Sequence, residues 1–209
     1  MVCMQEPARF ILGYLVFPLW VAAGWADWVC HRRTGIAYTS GLKENLLHLL
    51  MFVQMGLAIG AVALLEINAA VLLFAFAIFV LHQLTTYWDL HYSTVLRDVG
   101  PFEQMVHSLL EMLPLLSLAL LAAAAWPQAL ALVGLGGEPP DWTLRLKDEP
   151  LPPSYLWAGL LASLAFNALP LLQETWSCAI VHSTRRARGR LVRAGRSATA
   201  RTPASPEPR

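Results

Sequence analysis

The chain alternates between long apolar segments and short polar ones. Its long stretches without Asp, Glu, Lys or Arg contain 17 to 26 residues and cover 10–26, 45–65, 67–88, 112–137 and 150–173. A helix needs roughly 17–25 mostly apolar residues to cross a bilayer. The pattern therefore predicts an all-α, polytopic integral membrane protein built as a bundle of five transmembrane helices. We place these helices at about 9–30, 43–65, 68–91, 102–126 and 154–178.

Two other interpretations of the apolar segments agree less well with the residues. A soluble helical bundle would need charged faces on most of its helices, which the uncharged stretches do not offer. A cleaved signal peptide has an apolar region of about 7–15 residues. The first stretch is longer and contains Pro18, Trp20 and Trp25. We therefore expect the first helix to be uncleaved.

The basic residues predict an orientation in the membrane. Lys and Arg number 12 in the first loop, the third loop and the C-terminal tail, but 3 in the N-terminal segment, the second loop and the fourth loop. Basic loops remain on the cytoplasmic side. The counts thus predict an N-terminus outside and a C-terminus in the cytoplasm. We expect the location to be a cell membrane, with the bacterial inner membrane as the best match.

The chain divides into two regions. Residues 1–184 are predicted to form the transmembrane domain, in which the Pro- and Gly-rich segment 127–153 is an outer loop. Residues 185–209 form a basic cytoplasmic tail, which we expect to be disordered beyond about residue 192 because it lacks apolar residues for a core. A formal net charge of +1 gives no overall field for nucleic acid, so no nucleic-acid partner is expected.

Acids and histidines recur together at the predicted cytoplasmic ends of the helices. An acid and a histidine are four residues apart on the first, second and fourth helices, and seven apart on the third. Both spacings put the two side chains on one helical face. Ionisable groups inside a membrane are costly and are therefore candidates for function. The candidate metal ligands are Asp27, His31, Glu44, His48, His82, Asp89, Glu103 and His107.

This ligand chemistry predicts a metal centre. Carboxylate oxygen and imidazole nitrogen suit iron, manganese or zinc. Eight candidates exceed the three protein ligands of a catalytic zinc, so we expect two metals, with iron as the leading choice and zinc as the alternative. The arrangement resembles helical bundles that bind two metals through Glu and Glu-x-x-His ligands, although the spacing here is four. The HxxxH and HxxHH boxes of membrane fatty-acid desaturases and hydroxylases are missing, so the resemblance is one of chemistry only.

Each candidate also has a purely structural interpretation. Pro101 fits the first position of the fourth helix and puts Glu103 in its first turn, where a carboxylate complements the helix dipole without any metal. A lone histidine inside a bundle would more often be a packed polar group than a ligand. The joint pattern on four helices at one membrane level is what favours a metal site. Glu111 is the candidate catalytic carboxylate, whereas His91, Cys178 and His182 are expected to pack or to lie at the interface.

The predicted function follows from this site. We expect a membrane-embedded metal-dependent enzyme, a di-iron oxidoreductase that acts on a lipid-like or other hydrophobic substrate. Its electrons would come from a partner protein, because the sequence contains no flavin, NAD or iron–sulfur motif. The alternatives are a zinc-dependent lipid hydrolase, a b-haem electron carrier, and a metal transporter or structural membrane subunit. The sequence lacks GxxxxGK[ST] and GxSxG, which argues against nucleotide hydrolysis and a serine nucleophile.

Overall fold

The structure is a computed structural model that describes residues 5–199, most of which are helical. No strand forms in this range, where Leu65 and Leu146 make an isolated bridge. Two π-helical turns, Leu12–Val16 and Leu164–Ala168, join α1 to α2 and α7 to α8 into continuous helices. The helices are α1 (Gln5–Ile11), α2 (Phe17–Thr34), α3 (Leu42–Leu64), α4 (Ala69–Leu96), α5 (Pro101–Ala124), α6 (Trp126–Leu132), α7 (Pro153–Ser163) and α8 (Leu169–Thr199).

Five helices are long and apolar enough to cross a membrane. They are Glu6–Thr34, Leu42–Leu64, Ala69–Leu96, Pro101–Ala124 and Pro153–Arg193. This confirms the predicted all-helical fold with five helices of membrane-spanning length. The orientation of the chain in the membrane stays a prediction.

Local sequence signals set where the helices begin and end. Gly35 ends α2 in the left-handed conformation, with φ of 66°, and its N–H bonds the carbonyl of His31. Only glycine adopts that conformation without cost. Asn68 caps α4 by accepting a hydrogen bond from the N–H of Val71 at 3.1 Å. Pro101 occupies the first turn of α5, where its missing N–H is not needed.

The last helix is longer than the sequence analysis expects. The structure describes α8 as far as Thr199, beyond the predicted end of the fifth helix near residue 178, and the expected disorder of the tail stays a prediction. Arg and Ala, which are frequent in this segment, are strong helix formers. A helix that is already nucleated also extends at little cost. The rest of the predicted disordered segment, 200–209, lies outside the described residues.

The helices pack so that the C-terminal ends of two long helices lie beside the N-terminal ends of two others. The most extensive contact is between α3 and α4, and α2 packs against α5 while α8 packs against α3. The end of α2 and the end of α4 therefore lie beside the beginnings of α3 and α5. We call this part of the bundle the site end. The opposite part, which holds residues 64–70 and 133–152, is called the loop end.

The loop end is closed by hydrogen bonds and apolar packing. The backbone N–H of Glu66 bonds Arg145 O at 2.9 Å, and that of Lys147 bonds Leu64 O at 2.9 Å. The ammonium of Lys147 donates to Val62 O, and burial lowers its pKa below the usual value. A core cluster lies in this region and consists of Leu72, Leu121 and Ala125. The segment 133–152 is thus fixed against the α3–α4 connection.

Replacing Asn68 tests how the loop end is held together. Asn68 Oδ1 caps α4, and Asn68 Nδ2 donates to Thr143 O at 2.6 Å. We expect Asn68→Ala to reduce stability by about 1 kcal/mol or more, since a lost cap has roughly that cost. Thermal unfolding in detergent should then show a midpoint lowered by a few degrees. Asn68→Ser keeps a capping oxygen and should lose less. Equal losses in the two variants would contradict the capping role.

Candidate metal site

Four ligand atoms from two helices converge at the site end. Asp27 and His31 come from α2, while Glu103 and His107 come from α5, and their ligand atoms all lie within 4.8 Å of one another. Asp27 Oδ1 lies 2.9 Å from His107 Nε2 and 3.5 Å from His31 Nε2. Glu103 Oε1 lies 3.6 Å from His31 Nε2 and 3.9 Å from His107 Nε2.

These distances match the spacing that a metal requires. Bonds of about 2.0–2.2 Å put neighbouring ligand atoms of a tetrahedral site about 3.3–3.6 Å apart. Two of the four separations, 3.5 and 3.6 Å, lie within that range, and shifts of a few tenths of an ångström would bring the other two, 2.9 and 3.9 Å, into it. His31 Nε2 is also buried without a hydrogen-bond partner. Two imidazoles and two carboxylates form a donor set that suits zinc or iron.

A second group of three ligands adjoins the first and shares His31 with it. It consists of His31, Glu44 and His48. The rings of His31 and His48 stack with centroids 4.6 Å apart and planes 9° from parallel. His48 Nε2 forms a hydrogen bond with Asp89 Oδ2 at 3.1 Å. The predicted ligands of α2, α3, α4 and α5 are therefore joined into one network.

Arg97 lies between two of the predicted ligands. Its Nη2 is 2.6 Å from Glu44 Oε1 and 2.6 Å from Glu103 Oε1. Burial alone would lower the pKa of the guanidinium, but the hydrogen bonds to Glu103 and Glu44 raise that pKa further above its ordinary value. The side chain therefore stays charged and offsets both carboxylates. Arg97 is the one basic residue between α4 and α5, and the sequence-based prediction of orientation included it only as one of the loop charges.

Glu174 is a further acid that sequence reasoning left out of the ligand set. It comes from α8, is buried, and places Oε1 3.5 Å from His31 Nδ1. His31 therefore faces carboxylates through both of its ring nitrogens. Histidines that bind metal through one nitrogen commonly donate the other N–H to a carboxylate. The pattern that could have revealed Glu174 is its position on the same side of the bundle as the other acids.

A cavity of about 130 Å³ lies beside the cluster. Part of its wall is apolar and includes Trp20, Phe52 and Leu110. Glu111, the predicted catalytic carboxylate, also lines it. Glu44 and Glu103 are not among the lining residues, since they lie near Arg97. The predicted ligands in the wall are Asp27, His31, His48, His82, Asp89 and His107.

Some candidates lie apart from the network. His82 lines the cavity, but it has no ion pair among the described residues and its Nδ1 has no hydrogen-bond partner. The sequence placed His82 and Asp89 on one helical face, whereas in the structure Asp89 forms its ion pair with His48. His91 is exposed and stacks on Tyr87, which agrees with its expected interfacial position. His182 is exposed and Cys178 is buried.

Comparisons with protein-family models, with curated proteins and with solved structures give no match. A functional interpretation therefore starts from the site itself. Chemically, the arrangement can hold a divalent cation against a small cavity. The cavity combines apolar walls with groups that can accept or donate protons.

The contacts of Arg97 predict a strong effect on stability. Removing one partner of a buried ion pair leaves an uncompensated charge and costs about 3–5 kcal/mol. We expect Arg97→Gln to lower the thermal midpoint in detergent by about 10 °C. Adding Glu44→Gln in the same chain should restore part of the loss, because one unpaired carboxylate is removed. A double variant less stable than the single one would contradict this account. Arg32→Gln, at an exposed position, is the matched control.

Proposed function

We propose that the protein is a membrane-embedded metal-dependent enzyme that oxidises a hydrophobic substrate. In this proposal Asp27, His31, Glu103 and His107 bind the metal at the wall of the cavity. The observation that carries it is the convergence of four ligand atoms, whose acid–histidine separations are 2.9 to 3.9 Å, next to a cavity with apolar walls.

The charge balance of the cluster supports a bound cation. Five carboxylates contact the imidazoles of His31, His48 and His107 or the guanidinium of Arg97, and Arg97 supplies the only permanent positive charge in these contacts. Buried charges require partners, because water is not available to solvate them. A divalent cation would supply positive charge where the carboxylates converge. The five carboxylates are Asp27, Glu44, Asp89, Glu103 and Glu174.

The cavity indicates what size of group would react. An apolar cavity of about 150 Å³ in another protein holds benzene, so the 130 Å³ here fits a group of similar size. The rest of a lipid-like substrate would remain between the helices or in the bilayer. Glu111 follows His107 by one helical turn and lines the cavity, where it can exchange a proton with the substrate. Trp20 and Phe52 would hold the apolar part.

Iron is the metal of the leading proposal. Iron bound by histidine and carboxylate supplies oxygen activation, and a donor protein would supply the electrons. Zinc gives a second candidate function, the hydrolysis of a lipid ester or amide, in which zinc activates water. Glu103 Oε1 already contacts Arg97 Nη2 at 2.6 Å, so Asp27, His31 and His107 would leave the open fourth position that catalytic zinc requires, which favours this second candidate.

The haem and transport alternatives find less support. His31 and His48 stack face to face, and a porphyrin cannot lie between rings whose centroids are 4.6 Å apart. A transport path would continue polar groups across the bundle, whereas the loop end contains the apolar cluster around Leu72. The proposal keeps the predicted N-terminus outside the cell, which puts the site near the cytoplasmic face.

Metal content tests the proposal directly. We expect purified protein to retain iron in detergent, as measured by elemental analysis. His31→Ala and His107→Ala should each reduce the bound metal at least tenfold, because each removes one of four ligands. His91→Ala is the matched control, since that histidine is exposed and outside the network. Protein without metal, or unchanged metal in both variants, would overturn the proposal. Zinc in place of iron would select the hydrolase.

The number of metals tests the predicted second ion. Its ligand group is smaller, because it adds only Glu44 and His48 to the shared His31, and both are already paired, Glu44 with Arg97 and His48 with Asp89. We therefore expect one metal per chain, and His48→Ala should leave that number unchanged. Two metals per chain, with one lost in His48→Ala, would support the dinuclear centre of the sequence analysis instead.

A further inference from the structure

Asn167 places an amide in the wall of the cavity, away from the acidic cluster. It belongs to the π-helical turn Leu164–Ala168 and is 8% exposed. Its Nδ2 donates a hydrogen bond to Val21 O at 3.2 Å. Its Oδ1 is buried and has no hydrogen-bond partner. A buried acceptor without a donor is costly in an apolar bundle, so this oxygen calls for an explanation.

The neighbouring helix is shaped to accept this amide. Gly24 of α2 also lines the cavity, and a Cβ at this position would overlap Asn167 Nδ2. Any larger residue at 24 would therefore displace the amide. The π-helical turn adds a second local feature, since such turns occur frequently at functional sites. Two separate helices thus adjust to keep one amide at the cavity.

We propose that Asn167 Oδ1 accepts a hydrogen bond from the substrate and so selects its class. The Val21 carbonyl accepts the hydrogen bond from Nδ2, so the amide oxygen is the atom that remains to bind a ligand. The matching ligand is a hydrophobic molecule with a hydroxyl or N–H donor. This inference deepens the proposed function and rests on it for the identification of the bound molecule as a substrate.

The position of the amide also orients the ligand. Gly24 precedes Asp27 by three residues, which is about 4.5 Å along the helix. The donor group of the ligand is therefore held roughly one helical turn deeper in the bundle than the predicted metal ligands. The part of the ligand between these two levels lies closest to the His31 and His107 side chains. Asn167 acts in this way as a positioning residue.

Two small probes separate the hydrogen bond from apolar contact. The probes 4-fluorophenol and 4-fluorotoluene have nearly the same size, and one carries a hydroxyl group where the other carries a methyl group. Their binding to the purified full-length protein in detergent can be measured by fluorine NMR. We expect the preference for the phenol over the toluene to fall about two- to tenfold in Asn167→Leu, the range of one net hydrogen bond. The probes also partition into the detergent, but this effect is the same for every variant and cancels when the variants are compared.

Matched variants keep the test specific to the cavity. Gln54 is another buried amide inside the bundle, and its Nε2 donates to Thr85 Oγ1 at 3.1 Å, but it does not line the cavity. Gln54→Leu should therefore leave the preference unchanged. Gly24→Ala should lower the preference as Asn167→Leu does, because it displaces the amide. Gly60→Ala, where a Cβ would meet open space, is its control.

An unchanged probe preference in both Asn167→Leu and Gly24→Ala would overturn the inference. If Asn167→Leu does not fold, Gly24→Ala gives the same answer through the same amide. Binding of the probes needs no metal, so metal analysis of the unaltered protein reports on the proposed enzyme separately. If Asn167→Leu lowers the preference but the unaltered protein holds no metal, the ligand site at Asn167 is supported and the proposed enzyme function is rejected. The metal content of Asn167→Leu should equal that of the unaltered protein.

Discussion

Burying acidic side chains inside an apolar bundle is the constraint on which the site end depends. Water cannot solvate these groups there, so each carboxylate needs a partner nitrogen. Each carboxylate of the cluster has such a nitrogen as a neighbour, although Arg97 supplies the only permanent positive charge. Arg97 bridges Glu44 and Glu103, while histidines contact Asp27, Asp89 and Glu174 at separations of 2.9 to 3.5 Å. The relative positions of α2, α4 and α5 at this end are therefore set by charge pairing as well as by packing.

The two ends of the bundle contribute differently to the fold. The loop end is closed by the apolar cluster and by hydrogen bonds between the α3–α4 connection and the segment around Thr143. The site end carries the ionisable groups and the cavity. Apolar packing can fill space without leaving unsatisfied atoms, whereas a polar network leaves gaps wherever its geometry is incomplete. This difference places the cavity at the site end and gives it access to proton-exchanging groups.

Helical spacing in the sequence predicted more of the fold than of the site. The uncharged stretches gave the five long helices, because spanning length and composition are local properties. The acid–histidine spacing found residues that do meet, yet the shortest contacts join different helices. His107 lies nearer to Asp27 than to Glu103, and His48 pairs with Asp89. Periodicity identifies the face of one helix but not its partner, which explains why Arg97 was overlooked.

His31 offers the most direct argument for a cation in the cluster. Its Nδ1 faces Glu174 at 3.5 Å, and its Nε2 faces Asp27 at 3.5 Å and Glu103 at 3.6 Å. A neutral imidazole carries one N–H, so one of its nitrogens would direct a lone pair at carboxylate oxygens. Either a second proton or a metal at Nε2 removes that repulsion. A second proton would offset part of the charge of Asp27 and Glu103 as well, whereas a metal at Nε2 would offset that charge and also bind His107. A single cation would thus satisfy four side chains, while Glu174 would fix the ring by accepting the remaining N–H.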